Sequence, residues 1–385
     1  VTTPLSSARR IVIKVGSSLL INPSTGSPHG ARFAALASDA ARQRLEGKSV
    51  VIVSSGAVAL GRKLLGLKSG KSRLEEKQAA AAAGQPMLMR AWDDAFRSHD
   101  IPVAQALLTF DDTERRRRWL NARATLETLL ERGAIPIVNE NDTVATDEIR
   151  YGDNDRLAAR VAQMLGADVL ILLSDIDGLY DADPRSDPNA RHIPEVRRLS
   201  PEIVAMAGGA NKTAGVGTGG MATKLEAARI AMTAGCTTAI SLGDQATIDG
   251  RGPISAIAEG ARTTWFMPEV TPETARRQWL AGALKPAGSL SVDAGAARAL
   301  LAGKSLLPAG LSAVSGRFDR GDAVDILDPD GRIIGRGISA YSSDDALRLI
   351  GRNSADIEAI LGFRGRPAII HVDDITLSER HERSS

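Results

Sequence analysis

Short runs of aliphatic, often β-branched residues alternate along the first two-thirds of the chain with stretches whose apolar positions recur every three or four residues. Runs at 11–15, 50–53, 135–138, 169–173 and 237–242 predict strands, and the segments 31–46, 57–65, 155–165 and 221–234 predict helices. Leu157, Val161, Met164 and Leu165 share one helical stripe, and Leu225, Ala228 and Met232 share another, so both helices are predicted to turn these faces to a core. Strand–helix alternation of this kind predicts an α/β fold, with a mostly parallel sheet between two helical layers.

The pattern changes near residue 268. The segment "MPEVTPETARRQWLAGALKPAGSL" carries three prolines and reads as a connection. Beyond it come short alternating strands and a hairpin signal, "AVDILDPDGRIIGRGIS", with Asp328, Pro329, Asp330 and Gly331 as the turn. The expected division is a first domain over 1–270, a linker over 271–287, a small β-rich domain over 288–370 and a tail over 371–385.

Composition narrows this reading. Only 3% of the residues are aromatic, so Ala, Val, Ile and Leu must fill the core, as they do in strands covered on both faces. The formal charge of +2 gives no general pull toward nucleic acid or anionic membrane. Cys236 is the sole cysteine, which excludes an internal disulfide and a cysteine-based zinc cluster and predicts a small buried side chain. No apolar stretch approaches the length of a membrane span, and the expected location is the cytoplasm.

Function in such folds gathers beyond the carboxyl ends of the strands, and the residues there are small, polar or acidic. The glycine-rich stretch "GVGTGGMATK", residues 215–224, leads into a predicted helix and ends on Lys224, a pattern suited to cradling phosphate. It is neither a dinucleotide fingerprint, because no buried strand precedes it, nor a Walker loop, because Met221 follows Gly220 where a lysine would stand. Lys14 interrupts the apolar run "IVIKV". A lysine there either ends the strand and reaches solvent or sets its ammonium against a phosphate at the sheet edge.

Residues 139–155, "NENDTVATDEIRYGDND", hold six carboxylates and three asparagines against one arginine. The near-repeat of "NEND" and "GDND" mixes acceptor-only carboxylates with amides that both donate and accept, and that mixture suits an amino acid better than a bare cation. The run "ERRRRW" at 114–119 reads as a solvated helix face. No histidine pair has metal-ligand spacing, and no G-x-S-x-G elbow is present.

In order along the chain, "IVIKVGSSLL", "VIVSSGAVALG", "IPIVNENDTVAT", "YGDNDRLAA", "LLSDIDGLYDADP" and "GTGGMATKLEAA" resemble the glutamate 5-kinases of the amino acid kinase superfamily. "SLLPAGLSAVSGRFDRGDAVDIL" resembles the PUA domain that many bacterial members append. The resemblance implies a three-layer αβα kinase domain with a PUA-like domain after it, and ATP-dependent phosphorylation of the γ-carboxylate of L-glutamate, the first step toward proline.

By the same resemblance Lys14 and Lys224 would neutralise the transferring phosphoryl group, with Asp155 holding both lysines. Ser55, Gly56, Asn139, Asp142, Asp153 and Asn154 would line the glutamate site. Ser174, Asp175 and the run Thr218, Gly219, Gly220, Met221, Ala222, Thr223 and Lys224 would contact ATP, with Mg2+ bridging its phosphates and no protein-built metal cage. Many relatives have threonine where Ser174 stands, and the hydroxyl is kept. Feedback inhibition by L-proline and assembly into a homo-oligomer, dimer or tetramer, are further implications. Two alternatives are a kinase of another small acidic substrate and an RNA-binding protein acting through the PUA-like domain. Against the second, residues 286–385 carry 12 basic and 14 acidic side chains and no aromatic-basic stripe.

Overall fold

The computed structural model describes residues 3–67, 73–144, 153–209, 220–246, 250–276 and 285–377, apart from the side chains of residues 153 and 207–209. Contacts divide the chain into two units, Val1–Pro272 and Glu273–Ser385.

In the first unit the sheet strands are β1 (Arg10–Val15), β2 (Ser49–Ser54), β3 (Val103–Leu108), β4 (Ile135–Glu140) and β5 (Val169–Ser174). A small hairpin of β6 (Leu179–Tyr180) and β7 (His192–Ile193) follows, then β8 (Glu195–Val196), β9 (Thr237–Leu242) and β10 (Thr263–Phe266). The eight-stranded sheet runs β3-β4-β2-β1-β5-β9-β10-β8. Only the β9–β10 pair is antiparallel. Each predicted strand is present, and most extend by one or two residues beyond the apolar run that signalled them.

Two apolar clusters lie on the two faces of this sheet. Ile11, Ile13 and Val15 pack with Phe33, Leu36 and Trp92, whereas Val12, Val51 and Val53 pack with Leu157, Met164 and Leu225. Side chains alternate along a strand, so Lys14 shares the face of Val12. That face is covered by the helices Asp153–Leu165 and Met221–Thr233, which also pack on each other. The strand's own periodicity therefore aims Lys14 at the first turns of two helices.

The hydrophobic pattern did not signal β3 or the helix Leu74–Arg97. β3 is an edge strand with mostly half-exposed side chains, and the helix is rich in alanine and contains Pro86, so neither carries a strong apolar period.

The second unit holds β11 (Gly288–Val292), β12 (Leu311–Gly316), β13 (Ala323–Leu327), β14 (Ile333–Ile338) and β15 (Ile375–Leu377), in the order β12-β11-β13-β14-β15. Leu290, Val324, Ile326, Tyr341 and Ile369 fill its core. β13 and β14 form the expected hairpin: Asp328 Oδ1 accepts from the backbone of Asp330 and Arg332, each at 2.9 Å, and Gly331 takes φ 79°. β15 falls within the stretch 371–385 and pairs with β14. Among the described residues no helix is long and apolar enough to cross a membrane.

Candidate active site

Asp155 stands in the first turn of the helix Asp153–Leu165, beneath the carboxyl end of β1. Its two oxygens hold two lysines: Lys14 Nζ lies 2.6 Å from Oδ1 and Lys224 Nζ lies 3.3 Å from Oδ2. Lys14, Asp155 and Lys224 are 8%, 1% and 4% exposed, so the reading of Lys14 as a solvent-reaching strand end is replaced by a buried ion pair. Burial alone would raise the Asp155 carboxyl, but the charges of Lys14 and Lys224 and hydrogen bonds from Lys14 and Thr223 outweigh it and hold its pKa at about 2. Burial pushes the Lys224 ammonium below its ordinary range, with the charge of Lys14 acting in the same direction and Asp155 opposing.

Lys224 is positioned by the start of its helix. Gly220 caps Met221–Thr233 in an extended conformation with no side-chain cap; its carbonyl accepts from the Thr223 N–H at 3.1 Å, and the helix start presents the positive end of its dipole, which suits a phosphate. The Thr223 hydroxyl lies 2.9 Å from Asp155 Oδ2 and 2.8 Å from the Gly220 carbonyl, tying the glycine end of the loop to Asp155. Met221 packs against the second core cluster and Ala222 faces solvent. Thr218 and Gly219 lie outside the described residues.

At the end of β5, Ser174 donates to Asp175 Oδ1 at 3.2 Å, and Asp175 Oδ2 is paired with Arg185 at 2.7 Å. Burial raises the Asp175 carboxyl, but the hydrogen bond and charge of Arg185, with hydrogen bonds from the backbone and Ser174, together outweigh it and keep the group below its ordinary range. Arg185 is a neighbour that the strand-end motif could not reveal, being ten residues away in an exposed turn.

A second cluster lies beside the ion triad. Asn154 Nδ2 donates to Ser55 Oγ at 2.7 Å and to Asn139 Oδ1 at 3.1 Å. Asn139 Oδ1 also accepts from the Glu140 backbone at 2.9 Å, and Asn139 Nδ2 donates to Gln85 Oε1 at 2.9 Å. Three residues picked from separate motifs, Ser55, Asn139 and Asn154, are thus joined through side-chain amides, and Gln85 was not picked. Its setting, "AAAAAGQPM", carries no motif; the signal lay in Gly84, whose added Cβ would fall 1.8 Å from the Ala57 carbonyl and so marks helices in backbone contact. Gly56 follows Ser55 at φ 121°, a conformation that favours glycine, and caps the helix Ala57–Leu64. Asp142 is half-buried just past β4. Asp153 begins its helix, and its side chain lies outside the description.

Among the described residues no group of three or more His, Cys, Asp or Glu could hold a metal ion. A Mg2+ carried on nucleotide phosphates would take most of its ligands from phosphate and water.

Residues 9–241 match the amino acid kinase family and residues 288–361 match the PUA domain. The glutamate 5-kinase of Caulobacter vibrioides is 60% identical over 371 residues, 96% of this chain and 97% of that protein. That of Paramagnetospirillum magneticum is 57% identical over 375 residues, covering 97% and 99%, and that of Paracoccus denitrificans is 54% identical over 377 residues, covering 98% and 99%. Among solved structures, a UMP kinase from Bacillus anthracis aligns at a TM-score of 0.46 and 16% identity, over 69% of this chain and 98% of that one.

Proposed function

Since the chain belongs to the glutamate 5-kinases of the amino acid kinase family, we propose that it transfers the terminal phosphoryl group of ATP to the γ-carboxylate of L-glutamate, the first step of proline biosynthesis. The observation that carries the reading is the buried triad of Lys14, Asp155 and Lys224. Its charges sum to one positive, in a place where burial makes cations costly and a polyphosphate would offset them.

The chemistry asks little of the protein beyond position and charge. The γ-carboxylate is already ionised near neutral pH, so no general base is required. One of its oxygens forms a bond to the γ-phosphorus while the bond to the β–γ bridging oxygen breaks, and ADP leaves with that electron pair. Negative charge spreads over the equatorial and leaving oxygens, where Lys14 and Lys224 neutralise it without the reorganisation that water would need. Asp155 keeps two like charges close together. The first-turn N–H groups of Met221–Thr233 would meet the phosphates, together with Ser174 and the glycine run, and Mg2+ bound there would add further neutralisation. Ser55, Gly56, Asn139, Asp142, Asp153 and Asn154 would hold glutamate, with amide and carboxylate oxygens at its ammonium and N–H groups and hydroxyls at its α-carboxylate.

Family membership supports L-proline as a feedback inhibitor, a dimer or tetramer as the working form, a cytoplasmic location, and the division into a kinase domain over 1–270 and a PUA-like domain over 288–370. The test is ADP release with ATP and Mg2+ across L-glutamate, L-aspartate, N-acetylglutamate, carbamate and UMP, with hydroxylamine to trap an acyl phosphate. Glutamate-dependent turnover with hydroxamate formation is expected. Turnover with another acid alone would overturn the substrate and keep the phosphate site.

A further inference from the structure

The hydrogen bonds around Asn139 have a direction, and it can be read without choosing amide flips. The Glu140 backbone N–H donates to one atom of the Asn139 amide at 2.9 Å, so that atom is the oxygen. The Asn154 atom that meets the same oxygen at 3.1 Å must be a nitrogen, and the Gln85 atom that meets the Asn139 nitrogen at 2.9 Å must be an oxygen. Each end of the chain is thereby fixed. Gln85 is left with its Nε2 donor and Asn154 with its Oδ1 acceptor, both buried and without a hydrogen-bond partner among the described residues. An unsatisfied buried polar atom is costly, and two at opposite ends of one network match a ligand bearing both an anionic and a cationic group.

We propose that Gln85 is a substrate-binding residue that donates through Nε2 to the α-carboxylate of the amino acid, while Asn154 Oδ1 accepts from its ammonium. This deepens the glutamate reading and rests on it. The γ-carboxylate is then the end directed toward Lys14 and Lys224, so the same network would select which carboxylate reacts. Gln85 comes from the helix Leu74–Arg97, outside every strand-end motif, and its backbone is pinned by the Gly84 contact with Ala57.

The experiment compares wild type, Gln85→Met and Gln85→Glu by steady-state turnover, with 4-aminobutyrate, which lacks the α-carboxylate, as a competitive inhibitor. Methionine keeps the length and removes both polar atoms; glutamate keeps an acceptor for Asn139 and removes the donor. The expected result is a rise in glutamate KM of about tenfold or more in both variants, as for loss of one hydrogen bond to a charged group, with ATP KM little changed and a lower thermal unfolding temperature in the methionine variant, which leaves Asn139 Nδ2 without its acceptor. Inhibition by 4-aminobutyrate should stay within about twofold of wild type, because the lost bond is one that ligand never makes. Equal weakening of glutamate and 4-aminobutyrate, or an unchanged glutamate KM, overturns the proposal and leaves Gln85 as a support for Asn139. Wild-type protein that does not turn over glutamate would instead sink the function proposed above. Should the methionine variant fail to fold, the glutamate variant gives the same comparison.

Discussion

Lys14 Nζ and Asp155 Oδ1 stand 2.6 Å apart with both side chains almost wholly removed from water. Lys14 reaches that place because alternation along β1 turns it to the face covered by the helices Asp153–Leu165 and Met221–Thr233. Lys224, one turn into the second helix, arrives at the other oxygen of the same carboxylate. One acid thus restrains two cations, and the surplus charge is what a phosphate would meet.

Asp155→Asn keeps the shape and removes the anchor, leaving two buried ammonium groups facing each other without the carboxylate that bridges them. Breaking a buried ion pair from one side typically costs about 3–5 kcal/mol. Urea unfolding should show a loss of that order, and ATP should stabilise the variant more than it stabilises wild type. A loss below about 1 kcal/mol, the scale of an exposed pair, would mean that Asp155 does not restrain the lysines.

Lys14→Ala and Lys224→Ala are expected to act on the transition state and hardly on glutamate binding. Removing a preorganised charge or donor of this kind typically lowers turnover about 10²–10³-fold. Glutamate KM should change by less than about threefold, since the lysines act where charge develops in transfer. The reverse pattern in steady-state kinetics would take both residues out of the reaction.

The pH dependence follows from the direction of the Lys224 shift. Burial, with Lys14 acting in the same sense, lowers its pKa in the free protein, and the negative charge of bound ATP raises it again. Between those two values ATP binding takes up a proton, so ATP affinity should fall as pH rises through the free-protein pKa. Calorimetry in two buffers of different ionisation enthalpy measures that uptake, and Lys224→Met should abolish it. For folding, Asp155 has the usual carboxylate sign: with a pKa of about 2 in the folded protein against an ordinary carboxylate value of 3.8, its contribution is complete above the higher value and lost as pH falls through the lower.

Two members of the ion triad were legible because each broke a local pattern, a lysine in an apolar strand and a lysine closing a glycine run, whereas the part of Asp155 came only from the family resemblance. The alternating runs likewise marked most strands of the parallel sheet. Gln85 and Arg185 were not legible, since each acts through a partner far along the chain and sits where many residue types would serve the local structure. β3 was missed because an edge strand with half-exposed residues carries little apolar signal. Fold and charge chemistry left periodic or anomalous positions to read; the amide network exists only once the helices meet.

That meeting point yields the last prediction. A Cβ added at Gly84 would lie 1.8 Å from the Ala57 carbonyl and 2.6 Å from the Gly61 nitrogen, and one added at Gly61 would lie 1.7 Å from the Ala80 carbonyl. These contacts are backbone, so no side chain can move aside and the helices themselves must part. Ala57 follows the Ser55-Gly56 turn and Gln85 follows Gly84, so Gly84→Ala separates the two ends of the amide network. Overpacking of this kind costs about 1–3 kcal/mol or more, and glutamate KM should rise while ATP KM changes little. Gly30→Ala is the control: it opens the helix Gly30–Leu45 with nothing within 4 Å of the added methyl, and the change should be neutral or mildly stabilising. Equal effects of the two substitutions on thermal unfolding and on glutamate KM would show that the Gly84 contact does not position the substrate site.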